Sequence, residues 1–190
     1  MKVGDIIMTK YGVVLGSIRK NSFSEAIAKG IVKGLPEDAE VTFIETADLP
    51  LYSQDYDEAP EQPKEYTRFR EEVKAQDAII FVTPEHNRSV PASLKNAIDL
   101  GSRPYGSSVW EGKPALVASQ SPAGIGGAIA NHTLRQSLVF LDMPVMQQPE
   151  LYIGNSANFI GENGEITAED TQEFLANAGK AFAEFAAKFV

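Results

Sequence analysis

The 190-residue chain contains no cysteine, which removes disulfide frameworks, thiolate nucleophiles and zinc-thiolate centres from consideration. Positive charge is also scarce: 17 Lys and Arg stand against 26 Asp and Glu, a formal net charge of −9. No basic cluster longer than Arg19-Lys20 breaks that balance, so neither nucleic acid nor an anionic membrane surface is an expected partner. Long apolar runs are missing too. The longest are strand-sized, far short of the roughly 20 residues a spanning helix needs, and no secretory h-region opens the chain. These absences leave a cytoplasmic globular protein as the expectation.

What is present suits one hydrophobic core. Hydrophobic residues make up 43% and charged residues 23%, ordinary globular proportions at a length suited to a single domain. Residues 1–10 carry no usable periodicity and read as a tail, which leaves one domain over residues 11–190. Short apolar runs at residues 11–15, 41–45, 78–82, 114–118 and 144–146 read as strands, and apolar positions at helical spacing lie between and after them. Examples are Ala26, Ile27 and Ile31, then Leu94 and Ile98, then Leu134 and Leu138. Phe174, Ala178, Phe182 and Phe185 form the core-facing stripe of the last helix. Strand and helix in alternation favour a parallel sheet covered on both faces. Residues 49–63, rich in Asp, Glu and Pro, read as a solvated acidic loop, with a lid or subunit contact as the alternative.

Three strand ends carry unusual loops. The first runs through Gly16, Ser17, Ile18, Arg19, Lys20, Asn21, Ser22, Phe23 and Ser24, with a helix opening near Ser22. Unsatisfied helix N-terminal amides, serine hydroxyls and the Arg19 guanidinium make a natural phosphate cradle. The G-x-x-x-x-G-K-[ST] and G-x-G-x-x-G patterns are both missing, so a phosphate monoester remains the fitting ligand. A serine cap beside a solvent-exposed arginine would give the same pattern.

In the second loop, Pro84 and Pro91 fix φ around Glu85, His86, Asn87 and Arg88 and hold their amides for a planar, hydrogen-bonding ligand. His86 could stack on such a ring and Arg88 could supply charge. The third runs from Ser119 through Ser121, Pro122, Ala123 and Gly124 to Gly126-Gly127, whose glycines allow close backbone approach or a tight turn. In a flavodoxin-like 2-1-3-4-5 strand order these loops converge on one crevice. The expected fold is therefore a flavodoxin-like three-layer α/β sandwich around a five-stranded parallel sheet.

With Leu94-Lys95-Asn96-Ala97-Ile98-Asp99 added, these motifs resemble the NADPH-dependent FMN reductase family, which includes quinone, azo-dye and chromate reductases. The resemblance implies that Ser17, Arg19, Ser22, Phe23 and Ser24 hold the FMN phosphate. It implies that Pro84, Glu85, His86, Asn87 and Arg88, with Ser121 and Gly124, line the isoalloxazine. His86 stands where an aromatic residue, usually tyrosine, is typical, and Ser24 where asparagine is frequent. Leu100 replaces a frequent tryptophan and is expected to alter a subunit contact.

The implied activity passes hydride from NADPH (or NADH) through bound FMN to a small acceptor such as a quinone, azo compound, free flavin or metal oxyanion. It needs no metal and no side-chain acid or base, and Glu85 and Asp99 are expected to serve in structural hydrogen bonds. A homodimer or homotetramer is implied, with contacts expected at residues 49–63 and 103–110. The alternative is a flavodoxin-type electron carrier with a protein partner and no use of NADPH. A hydrolase built on Ser121 and His132 lacks the G-x-S-x-G elbow.

Overall fold

The computed structural model describes residues 9–190. The expected tail over residues 1–10 lies outside the described residues apart from Thr9 and Lys10, and Lys10 already belongs to the first strand. Five parallel strands, β1 (Lys10–Leu15), β2 (Glu40–Ile44), β3 (Ala78–Pro84), β4 (Ala115–Gln120) and β5 (Leu151–Ile153), lie side by side in the order β2-β1-β3-β4-β5. Their register places Val14 beside Phe81 and Phe81 beside Val117, and puts Val82 level with Ala118.

Alternate residues of the central strands feed two different cores, as the two-residue period of a strand requires. Val14, Ile79, Phe81, Ala115 and Val117 face one core. Tyr11, Val13, Ile80, Val82, Leu116 and Ala118 face the other. Helices α1 (Phe23–Val32) and α6 (Glu169–Ala186) cover the second face, and α3 (Lys64–Lys74), α4 (Ala92–Gly101) and α5 (Ala128–Phe140) cover the first. The phenylalanine stripe contributes Phe182 to the core, fully buried against Tyr11.

Two local expectations are corrected. Residues 144–146 make only one bridge, Val145 to Ala115, and the fifth strand proper is Leu151–Ile153 paired with residues 118–120 of β4. The chain advances from 145 to 151 while its partner advances from 115 to 118. The surplus residues leave the ladder around Pro149, which has no N–H to give it.

Trp110, at the end of the stretch 103–110, is fully buried. Its ring packs 5.9 Å from that of Phe69 and 5.6 Å from that of Phe81, and its indole N–H donates to the Ile98 carbonyl at 3.0 Å. Leu100 is buried in the same core.

Residues 49–63 are not a solvated loop. Leu49, Tyr52 and Tyr56 pack against the core, and the segment contains the short helix α2 (Asp55–Glu58). Asn96 of α4 clamps it by accepting from the Tyr52 amide and donating to the Pro50 carbonyl, each at 2.9 Å. Asp57 Oδ2 accepts from both Arg103 Nε (2.9 Å) and Arg103 Nη2, and from the Tyr52 hydroxyl at 3.1 Å. The periodicity of residues 49–63 gave no sign of this strap because its apolar residues are anchors spaced by turns, not a helical stripe or an alternation.

Candidate active site

The strand order puts the loops after β1, β3 and β4 at one edge of the sheet, where adjacent crossovers leave in opposite directions. Side chains then brace these loops to one another. Gly16 lies so close to β3 that a Cβ there would fall 2.5 Å from Thr83 Oγ1, which only glycine avoids. The Gly16 amide donates to the Val82 carbonyl at 2.8 Å, and Ser93 of α4 donates to the Gly16 carbonyl at 3.3 Å. The first loop is thereby laid against the start of α4.

At the head of α1, Ser22 takes an extended conformation and its hydroxyl oxygen accepts from the Glu25 amide at 3.1 Å. Its hydroxyl hydrogen remains available as a donor. The amides of Phe23 and Ser24, in the first turn, have no intrahelical acceptor. Arg19 is exposed and makes no ion pair among the described residues. Ser17 Oγ accepts from the Arg19 amide at 3.4 Å and shapes the turn. This donor set suits a phosphate monoester, since every polar group that faces outward can give a hydrogen bond or a positive charge.

Ser24 sits elsewhere. It is wholly buried, and its hydroxyl accepts from Gln120 Nε2 at 3.4 Å. Gln120 Oε1 in turn accepts from the Ser156 hydroxyl at 3.0 Å. The Ser24 side chain therefore braces β4 beneath the loop, and only its backbone amide is left to a phosphate. Phe23 is half-buried and packs against the α1–α6 core.

The second loop is a tight hairpin. His86 and Ser89 exchange two backbone hydrogen bonds, each 2.9 Å, around Asn87 (φ 49°) and Arg88 (φ 62°). Two successive left-handed residues are the mark of a type I′ turn. The His86 amide is consumed by the turn, whereas those of Asn87 and Arg88 find no acceptor among the described residues. His86, Asn87 and Arg88 are all exposed, and Pro84 and Glu85 are half-buried.

Glu85 turns away toward the third loop. Its Oε2 accepts from the Ile129 and Ala130 amides at 3.1 and 3.2 Å, capping α5, while Oε1 lies 3.6 Å from Arg88 Nη1. Helix α5 supplies no cap of its own, because its N-cap residue is Gly127 at φ 72°. Glu85 is thus a structural hydrogen-bond group, and its negative charge is offset by the helix dipole and by Arg88. Asp99 likewise pairs with Lys95 at 2.7 Å.

In the third loop the Ser121 amide donates to the Ile153 carbonyl, and the Ser121 hydroxyl oxygen accepts from the Ala123 amide at 3.1 Å. Gly124 is exposed. A Cβ on Gly126 would fall 2.5 Å from the Tyr152 carbonyl carbon, so the loop is pressed onto β5. His132 does not serve Ser121. Its Nε2 meets the Tyr152 hydroxyl at 3.1 Å, and that hydroxyl donates to Glu150 at 3.0 Å. Burial and the neighbouring Glu150 raise the Tyr152 pKa above its ordinary value.

The bracing groups Ser93, Gln120 and Ser156 escaped the sequence reading. Gln120, a polar residue closing a buried strand, was the one visible signal among them.

Comparison with known proteins agrees with this fold. The sequence model of the NADPH-dependent FMN reductase family matches residues 9–158. A quinone reductase of Pseudomonas putida is 53% identical over 163 residues, which cover 86% of this chain and 87% of that protein. A 2-hydroxy-1,4-benzoquinone reductase of a Burkholderia species is 43% identical, covering 87% and 90%. Among solved structures, the flavoenzyme FerB of Paracoccus denitrificans, an NAD(P)H:(acceptor) oxidoreductase, superposes with a TM-score of 0.86 at 35% identity, covering 96% of this chain and 99% of that one.

Proposed function

The chain belongs to the NADPH-dependent FMN reductase family, and on that premise we propose that this oxidoreductase of FMN and NAD(P)H takes a quinone as its acceptor. The P. putida and Burkholderia relatives, named for quinone substrates, support that choice of acceptor. The convergence of the three braced loops is the observation that carries the reading.

Ser17, Arg19, the Ser22 hydroxyl and the free amides of Phe23 and Ser24 would hold the FMN phosphate. The Asn87 and Arg88 amides would meet the hydrogen-bonding edge of the isoalloxazine, with Pro84, Ser121 and Gly124 lining its surroundings. When bound, FMN accepts hydride from the nicotinamide and delivers it to the acceptor.

The protein's part is orientation and charge. Arg88 and the turn amides would stabilise negative charge on the ring, and because Glu85 is engaged by α5 its carboxylate does not oppose them. No side-chain acid or base is required. His86, exposed at the base of the turn, offers an imidazole face for a quinone ring.

A second copy of the chain fits the surface where α5 ends. Phe140 is 87% exposed and Tyr105 89% exposed, and beside Phe140 runs a groove of about 370 Å³ lined by Ile98, Ser102 and Leu141. A knob and a hole on one face suit a twofold, self-complementary contact. Arg103, Tyr105 and Ser108 line a neighbouring groove with Phe140, and a homodimer is the assembly this face supports. A compartment that supplies reduced nicotinamide cofactors, such as the cytoplasm, suits this activity.

The test is an absorption spectrum of protein incubated with FMN and desalted, followed by anaerobic NADPH and then a benzoquinone. Flavin bands that survive desalting, bleach with NADPH and return with the quinone are expected. Retained flavin that NADPH fails to bleach would return the carrier reading, and no retained flavin would remove both.

A further inference from the structure

A second groove opens on the other side of the phosphate loop, away from the β3 and β4 loops. It encloses about 560 Å³, and Ile18, Arg19, Lys20, Lys29, Phe43 and Thr46 are among its lining residues. It therefore lies between the carboxyl end of β2, the edge strand, and the first turns of α1.

Its composition is unusual for this protein. The chain carries a net charge of −9, yet three cations gather here. Two carboxylates also line the groove, and both are already engaged. Glu25 pairs with Lys29 at 2.7 Å, and Glu45 Oε1 accepts from the Ala47 amide at 2.7 Å. Arg19 and Lys20 have no ion-pair partner among the described residues. Beside them stand exposed apolar surfaces, Phe43 at 42% and Ile18 at 59%. An aromatic face next to uncommitted cations matches a ligand with a flat base and a phosphate group.

We propose that this groove binds the adenosine end of NADPH, with Phe43 and Ile18 against the adenine and Lys20 on the 2′-phosphate. The assignment rests on the reductase reading of the neighbouring crevice. Residues 17–20 form a wall common to the two sites, so a dinucleotide whose nicotinamide lies at the flavin can return along this loop to reach the groove. NADPH differs from NADH only by the 2′-phosphate. Cations outside the FMN phosphate set are therefore the groups able to tell the two apart. Arg19, already assigned to the FMN phosphate, would contribute only its long-range charge.

The test uses the FMN-loaded protein and two fragments. Calorimetry should show 2′,5′-ADP binding about tenfold or more tightly than 5′-AMP, which lacks the 2′-phosphate, with the advantage shrinking as salt rises. Lys20→Ala should abolish most of that difference and lower the ratio of kcat/KM for NADPH to that for NADH by about tenfold, a size expected for one lost charge-assisted contact. The change should fall on KM for NADPH while NADH kinetics and FMN retention stay as in the parent. Lys20→Arg should restore the ratio, and Phe43→Ala should weaken both nucleotides alike.

Equal binding of 2′,5′-ADP and 5′-AMP, or an unchanged ratio in Lys20→Ala, would overturn the assignment. A chain that bleaches with neither nicotinamide would remove the reductase reading beneath it, and the fragment titration would still decide whether the groove selects a 2′-phosphate.

Discussion

Glu85 and Ile129, 44 residues apart, meet across the candidate active site, where the Glu85 carboxylate accepts from the Ile129 amide at 3.1 Å and from the next amide at 3.2 Å. A residue delivered by β3 therefore caps the helix that follows β4, and the two loops facing the ligand cannot move independently. Glu85→Ala should cost about 1 kcal/mol of stability, the usual worth of a helix cap, and should weaken FMN retention. Glu85→Gln keeps the shape and loses the charge, so its effect should be smaller. Thermal melts with and without FMN check both, with the larger deficit expected in the FMN-loaded samples.

The turn at Asn87 and Arg88 makes a separate claim. Both residues sit at positive φ, which asparagine tolerates and a β-branched residue does not. Asn87→Gly should leave stability unchanged or improved, and Asn87→Val should cost about 1–2 kcal/mol. Arg88→Gly should also fold well while slowing flavin reduction, because it removes charge without removing the turn. Urea melts and anaerobic stopped-flow bleaching separate the two effects. Slow reduction in Asn87→Gly as well would shift the explanation from charge to turn geometry.

Residues such as these show how far the sequence reaches. The first four strands and the loops that follow them were legible because buried strands appear as short apolar runs and because Gly16, Pro84, Pro91 and Gly127 punctuate the strand ends, and the strand order came from the flavodoxin-like pattern they suggest. Glu85 was recognisable as a structural group, but its acceptor role on α5 was not, since no periodicity links a loop residue to a helix 44 positions on. Ser24 was read as a phosphate ligand from its place beside Ser22. Its true direction depends on the helical phase of α1, which turns it inward to Gln120. Residues 49–63 were misread as solvated for a similar reason: they are held by long-range anchors that have no local pattern.

The strap itself should open when its anchor is cut. Asp57 is nearly buried between Arg103 and Tyr52, and its second carboxylate oxygen has no hydrogen-bond partner among the described residues. Asp57→Asn leaves Arg103 without its counter-charge and should expose residues 49–63 to protease. Limited chymotrypsin digestion should cut at Leu51, Tyr52 or Tyr56 faster in the variant than in the parent. Equal cutting rates would mean that the Asn96 clamp alone holds the segment.

Stability should decline at alkaline pH. Burial raises the Tyr11 and Tyr66 hydroxyls above their ordinary value of 10.0. Between that value and the folded one, the unfolded chain loses protons that the folded chain keeps, so stability falls as pH rises. Lys113 acts in the opposite sense: burial lowers its pKa from 10.5, and stability grows as pH climbs from the folded value toward 10.5. The net expectation is a urea midpoint that falls above about pH 10 in the parent. Tyr11→Phe should show a shallower fall, with no change in slope below pH 9.

Phe140 decides whether the α4–α5 face is an interface. An 87% exposed phenylalanine at a helix end contributes almost nothing to the folding of a monomer, so Phe140→Asp should melt at the parent's temperature if the chain works alone. If two copies place this ring into each other's groove, the substitution puts a charge at an apolar contact twice over. Light scattering should then show a dimer for the parent and a monomer for the variant at equal concentration. The Tm should fall with dilution only in the parent, because association stabilises by mass action. A parent that is itself monomeric, with a concentration-independent Tm, would leave the Phe140 face unpartnered and remove the homodimer from the proposed function.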